Sequence, residues 1–174
     1  SRADTVVALD ADFLASVPGS VRYARDFMAR RKSVGDGGQM NRLYAFECVP
    51  SITGAAADHR QAVNSDTLYG VARHLAHQLG VPGAGEAPLP DGVPQKLVSA
   101  LLRDLESSRG KSIVVVGERQ PAALHALCHA INHHLGNVGA TVRYIRNPEV
   151  APVDQHSSLR ELVADMQAGN VDVL

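Results

Sequence analysis

The chain has 174 residues, close to a single domain at about 100–200 residues each, and long enough to bury a core without disulfides or metals. Lys and Arg number 17 against 18 Asp and Glu, a net charge of −1, which argues against a nucleic-acid or polyanion partner held by bulk charge. Trp is absent, aromatics make up 4%, and no apolar run approaches the roughly 18–20 residues of a membrane span, so base stacking and a direct membrane span are not expected.

Thr5–Leu9 is β-rich and wholly apolar after its first residue, as suits a strand covered on both faces. Asp10-Ala11-Asp12 follows. An amphipathic helix is predicted over roughly residues 20–31, with Val21, Ala24, Phe27 and Met28 on one face. The basic run Arg30-Arg31-Lys32 reads as its solvated end, where cations suit the helix dipole. Ser33–Gln39 holds three glycines and breaks the pattern. Strands are predicted at Arg42–Glu47 and, more weakly, at 59–63. Ser65 or Asp66 can cap the next helix, which carries Leu68, Val71, Ala72, Leu75, Ala76 and Leu79 at helical spacing and stops at Gly80.

Residues 80–94 are rich in Pro and Gly and read as a surface loop joining subregions 1–79 and 95–174. A helix is predicted near 95–106, then the strongest strand, Ser112–Val116, closed by Gly117. Pro121 suits the first turn of a helix running to about Leu135, with Gly136 as its stop. Thr141–Ile145 is predicted as a strand, Ser157–Met166 as a helix ended by Gly169, and Val171–Leu174 as the start of another strand. Strands alternating with helices imply βαβ units and a mostly parallel sheet with helices on both faces. Residue 4 already lies at the first strand and residue 174 inside the last, so residues 1–174 read as one domain excised from a longer chain.

In such a sheet, ligands sit beyond the carboxyl ends of the strands. Asp10 and Asp12 follow the first strand; Gly117, Glu118, Arg119 and Gln120 follow the strong one. Asp-x-Asp after an apolar strand resembles the nucleophile strand of haloacid-dehalogenase-type phosphatases. That resemblance implies Asp10 as nucleophile, Asp12 as general acid/base and Mg²⁺ as cofactor, although Leu14 stands where that family wants Thr or Val. Neither G-x-G-x-x-G nor G-x-x-x-x-G-K-[ST] occurs, but a helix after Gly117 leaves a nucleotide-binding module open. His125, His129 and His133 recur every four residues, roughly 100–180° from the stripe Leu124, Leu127, Cys128, Ile131 and Leu135. They are expected to face solvent or a partner, with no metal site. Cys128, on the apolar face, reads as a core residue, and Cys48 and Cys128 are too few for a disulfide framework.

The order of segments resembles the molybdopterin oxidoreductase family, of the dimethyl sulfoxide reductase and formate dehydrogenase type. Ala3–Leu14, Asn41–Leu79 and Ser112–Tyr144 carry the resemblance. It is closest to a divergent branch, the molybdopterin-oxidoreductase-like iron–sulfur subunit of alternative complex III. Here the wording is similar in LDADFL, RYARDF, MNRLYAFE, TGAAADHR, NHHLGNVGATVRY and SLRELVADMQAGNVDVL. The resemblance implies a Rossmann-like three-layer sandwich within a larger molybdopterin-oxidoreductase-like fold. It implies a structural scaffold in a respiratory electron-transfer complex, partnered by other domains of its parent chain and by other subunits. The parent is expected to be membrane-associated, at the periplasmic face. Asp10, Asp12, Gly117, Glu118, Gln120, Asn132, Gly136, Asn137 and Gly139 match positions near the family's cofactor cleft. The family uses molybdopterin guanine dinucleotide and 4Fe-4S clusters. None is expected in this chain, which lacks the iron–sulfur cysteine cluster and places Asp10-Ala11-Asp12 at the pterin turn. The resembled branch is thought to have lost the pterin.

Overall fold

In the computed structural model, which describes residues 2–32, 38–145 and 152–173, Thr5–Leu9 forms β1 and all five of its residues are buried. Burial of both faces marks a central strand. β1 pairs in parallel with β2 (Arg42–Glu47) on one side and with β4 (Ser112–Val116) on the other. β3 (His59–Ala62) adds in parallel outside β2, so the strand order is β3-β2-β1-β4. Three of these strands match the predicted spans to the residue, and β3 stops one residue short of its span.

Strand alternation sorts the core into two layers. Val7, Leu9, Tyr44, Phe46 and Val114 face α3 (Ser65–Gln78), α4 (Gln95–Ser107) and α5 (Ala122–His134), meeting Leu75, Leu101, Leu105 and Ile131. Val6, Ala8 and Leu43 face the other way, against Phe27 of α1 (Ser20–Lys32). The result is an α/β, Rossmann-like three-layer sandwich with an all-parallel four-stranded sheet.

The two helical layers differ in thickness. Phe27 is the buried residue of α1, while Val21 and Met28, expected on the same face, stand 85% and 45% exposed. One helix lying on a twisted sheet touches it over a narrow stripe. The basic end of α1 compensates, contrary to the solvated end expected. Arg30 donates to the Ala3 carbonyl and pairs with Asp4. Arg31 grips both carboxylate oxygens of Asp58 and lies 4.5 Å from the centre of the Phe27 ring. Asp58 in turn accepts from the backbone N–H of Leu43, so this fork ties α1 to β2.

Helix ends follow capping chemistry. Asn64, not Ser65 or Asp66, caps α3 by accepting from the Thr67 N–H. Gly80 and Gly136 take positive φ after α3 and α5, as C′ stops do. A short helix, α2 (Ile52–Ala55), was not foreseen from sequence; Ser51 caps it. The Pro/Gly-rich stretch 80–94 places Val81 and Val93 in the main core and also buries Ala87, so it packs into the sandwich.

The chain divides into two units, Ser1–Arg143 and Tyr144–Leu174. The second unit holds α6 (Gln155–Gln167), whose apolar residues Leu159, Leu162, Val163 and Met166 are all exposed. Two predicted strands are corrected. Thr141–Ile145 forms only an isolated bridge, Val138 to Val142. Val171–Val173 is not a strand, and Leu174 lies outside the described residues. So do residues 33–37 of the predicted glycine break.

Candidate functional site

Strand order reverses about β1, because β2 and β3 lie on one side and β4 on the other. The crevice beyond the carboxyl ends of β1 and β4 is where open parallel sheets take ligands. In this chain the turn at Asp10 bridges it, bonded to Cys48 and Gln120 on either side. Asp10 has φ +54°, the one non-glycine residue among those described in the left-handed region. Asp is among the few residues that tolerate it. The turn aims the carboxylate across the sheet. Its Oδ1 accepts from the backbone N–H of Cys48 after β2, at 3.0 Å. Its Oδ2 accepts from Nε2 of Gln120 after β4, at 2.8 Å.

Gly117 completes the closure. Its N–H donates to the Leu9 carbonyl at 2.9 Å, and a Cβ at this position would lie 1.9 Å from the Asp10 carbonyl oxygen. Only glycine lets the β1 and β4 ends touch this closely.

Asp12 serves the next loop. Its Oδ1 accepts from both the N–H and the hydroxyl of Thr53 in α2, at 3.0 and 2.8 Å, and its Oδ2 accepts from Ser16. Burial pushes the Asp12 carboxyl up, but the bonds from the Thr53 hydroxyl, the Thr53 N–H and Ser16 outweigh it and hold it below its ordinary value. Thr53 also accepts from the Leu14 N–H, so the loop after β1 and the first turn of α2 are one bonded unit.

Sequence reasoning missed the third carboxylate, Glu47, the last residue of β2. It is 4% exposed. Arg60 of β3 pairs with one of its oxygens and Ser51 donates to the other. Gly54 sits directly on it, since a Cβ there would fall 2.0 Å from Oε1. Its position at the end of a predicted strand was the available signal.

The nine expected cleft residues fall into two groups. Asp10, Asp12, Gly117, Glu118 and Gln120 gather at the carboxyl end, with Glu118 exposed. Asn132, Gly136, Asn137 and Gly139 do not join them. Asn132 and Asn137 bond the outer edge of β4, at Val114 and Ser112. Of the histidine row, His129 and His133 are exposed and His125 is half-buried. His125 and His129 line a hollow of about 200 Å³ beside β4, with Cys128 and Asn132. Burial pushes the Cys128 thiol up to about 12, so it stays protonated at neutral pH. Among the described residues, no group of three or more His, Cys, Asp or Glu side chains is placed to hold a metal ion.

This donor set does not fit a pyrophosphate-bearing cofactor. Asp10 and Asp12 present carboxylates at the crevice, and Glu47 adds a third at the neighbouring strand end. The backbone N–H groups of Cys48 and Thr53, which would otherwise receive an anion, already donate to Asp10 and Asp12. An incoming phosphate would meet like charge and find those donors taken. No protein-family model matches the chain, and no curated protein matches it.

Proposed function

We propose that this chain is a Rossmann-like supporting domain of a molybdopterin-oxidoreductase-like subunit in a respiratory electron-transfer complex, with no catalysis of its own. The observation that carries the non-catalytic part is the Asp10 turn. The carboxylate at the switch point is bonded to the two neighbouring strand ends, and Gly117 packs against the same turn. Both oxygens of Asp10 accept bonds from the fold itself, which supports reading it as a structural clasp. The parent complex, its membrane association and its periplasmic placement follow from the resemblance in LDADFL, MNRLYAFE and NHHLGNVGATVRY.

The test is an immunoblot of source cells with antibody raised against this chain, comparing membrane and soluble fractions. A membrane band several-fold larger than 18.5 kDa is expected. A soluble band near 18.5 kDa overturns the parent-complex reading. The purified chain is also assayed for magnesium-dependent hydrolysis of an aryl phosphate and for co-purifying pterin. Hydrolysis abolished by Asp10→Asn, or pterin in stoichiometric amount, overturns the scaffold reading.

A further inference from the structure

β4 is the edge strand of the sheet, and its sequence, Ser-Ile-Val-Val-Val, is the most β-prone run in the chain. Ile113, Val115 and Val116 are only partly buried. Such an edge, uncharged and free of proline, is a ready template for another strand. Lys111 O and Gly117 N bond toward β1, so the even-numbered residues Ser112 and Val114 turn their backbone groups outward. Among the described residues, no strand pairs with that outer edge.

Side chains take the strand's place. The Asn132 amide, from α5, accepts from the Val114 N–H at 3.0 Å and donates to the Val114 carbonyl at 2.7 Å. These are the two bonds a neighbouring strand would make. The remaining capacity of Asn132 is also used, donating to the Cys128 carbonyl and accepting from Asn137 Nδ2. One step along, Asn137 Oδ1 accepts from the Ser112 N–H and hydroxyl, and the Thr141 hydroxyl donates to the Ser112 carbonyl. Asn132 and Asn137 are 3% and 0% exposed.

We propose that Asn132, Asn137 and Thr141 form an edge guard, a dummy strand of side-chain groups that keeps β4 from pairing with a β-edge of a second copy of this chain. The guard also accounts for the isolated bridge that stands where Thr141–Ile145 was expected as a strand. Thr141, which the alternating pattern places in a strand, spends its hydroxyl on Ser112 instead.

Asn132→Leu keeps the branching of the side chain while enlarging it, and removes both bonds to Val114. The test uses the full 174-residue chain, with light scattering during gel filtration and amide hydrogen exchange. The wild type is expected to elute at one mass as concentration rises, with the Val114 amide protected like that of Val7. When dilute, the Asn132→Leu chain is expected to lose protection at Val114 while Val7 keeps it; as concentration rises its mass is expected at least to double and protection at Val114 to return. A folded Asn132→Leu chain with an unprotected Val114 amide and wild-type mass at every concentration overturns the proposal. So does one in which Val114 stays protected at wild-type mass. Should Asn132→Leu fail to fold, Thr141→Val decides. It removes one donor at the rim, and a mass that rises with concentration where that of the wild type stays constant supports the guard, whereas a constant mass refutes it.

Discussion

Asp10 holds the switch point shut, and three substitutions separate how it does so. Asp10→Ala removes the acceptors of the Cys48 N–H and of Gln120 Nε2 and leaves a β-carbon residue at φ +54°. Two hydrogen bonds to a partly exposed carboxylate contribute about 1 kcal/mol each. A left-handed residue without the Asp side chain's local bonding costs about 1 kcal/mol relative to glycine. The sum is about 3 kcal/mol, or roughly 6–12 °C in Tm for a chain of this size. Asp10→Gly loses the same bonds without the backbone cost and should fall by about 2 kcal/mol. Asp10→Asn keeps one carbonyl oxygen for Cys48 and tolerates the left-handed turn, so about 1 kcal/mol is expected. The assay is urea unfolding followed by circular dichroism, with unchanged slopes required for the comparison. The expected order of stability is wild type, Asn, Gly, Ala. An Asp10→Ala protein within about 0.5 kcal/mol of wild type refutes the clasp. Equal losses for Ala and Gly refute the cost assigned to the left-handed turn.

Two further predictions concern titration and reactivity. Asp12 is held below its ordinary value in the folded chain, so its contribution to stability is fully present above the unfolded carboxylate pKa and lost as pH falls through the folded one. Thr53→Val removes the hydroxyl bond, and the fall in Tm between about pH 5 and pH 3 should become shallower than in the wild type; an unchanged profile contradicts the assignment. Cys48 is exposed and Cys128 buried, so maleimide at neutral pH should label the folded chain once, at Cys48, and the urea-unfolded chain twice. The Cys48 thiol is itself raised, by burial and then by the Asp10 charge and bond, so its labelling should be slower than that of a free thiol and should speed up in Asp10→Ala. Labelling of Cys128 in the folded chain contradicts its place in the core.

Local pattern carried much of this fold. The apolar runs of β1 and β4 and the 3-and-4 spacing in α3 and α4 announce themselves, because one strand or helix needs only its own neighbours to show its period. The Asp10 and Asp12 turn was legible for the same reason, since an acid at the end of an apolar strand must lie at the carboxyl edge. What those acids bond was not legible. Asp10 meets Cys48 and Gln120, 38 and 110 residues away, and Asp12 meets Thr53. Only the strand order brings such residues together.

The same limit explains the errors. Val21 and Met28 match the helical period of Phe27, yet a helix's period does not state how wide its support is. The pattern Thr141–Ile145 is that of a strand, but a strand exists only where a neighbour offers free backbone groups. Here Asn132, Asn137 and Thr141 itself already hold those of Ser112 and Val114. Periodicity therefore determined which segments are strands or helices in isolation. Packing alone decided which edges stayed open to pairing, because a buried backbone N–H or carbonyl takes the partner the fold brings to it, and one already held by a side chain no longer needs a strand.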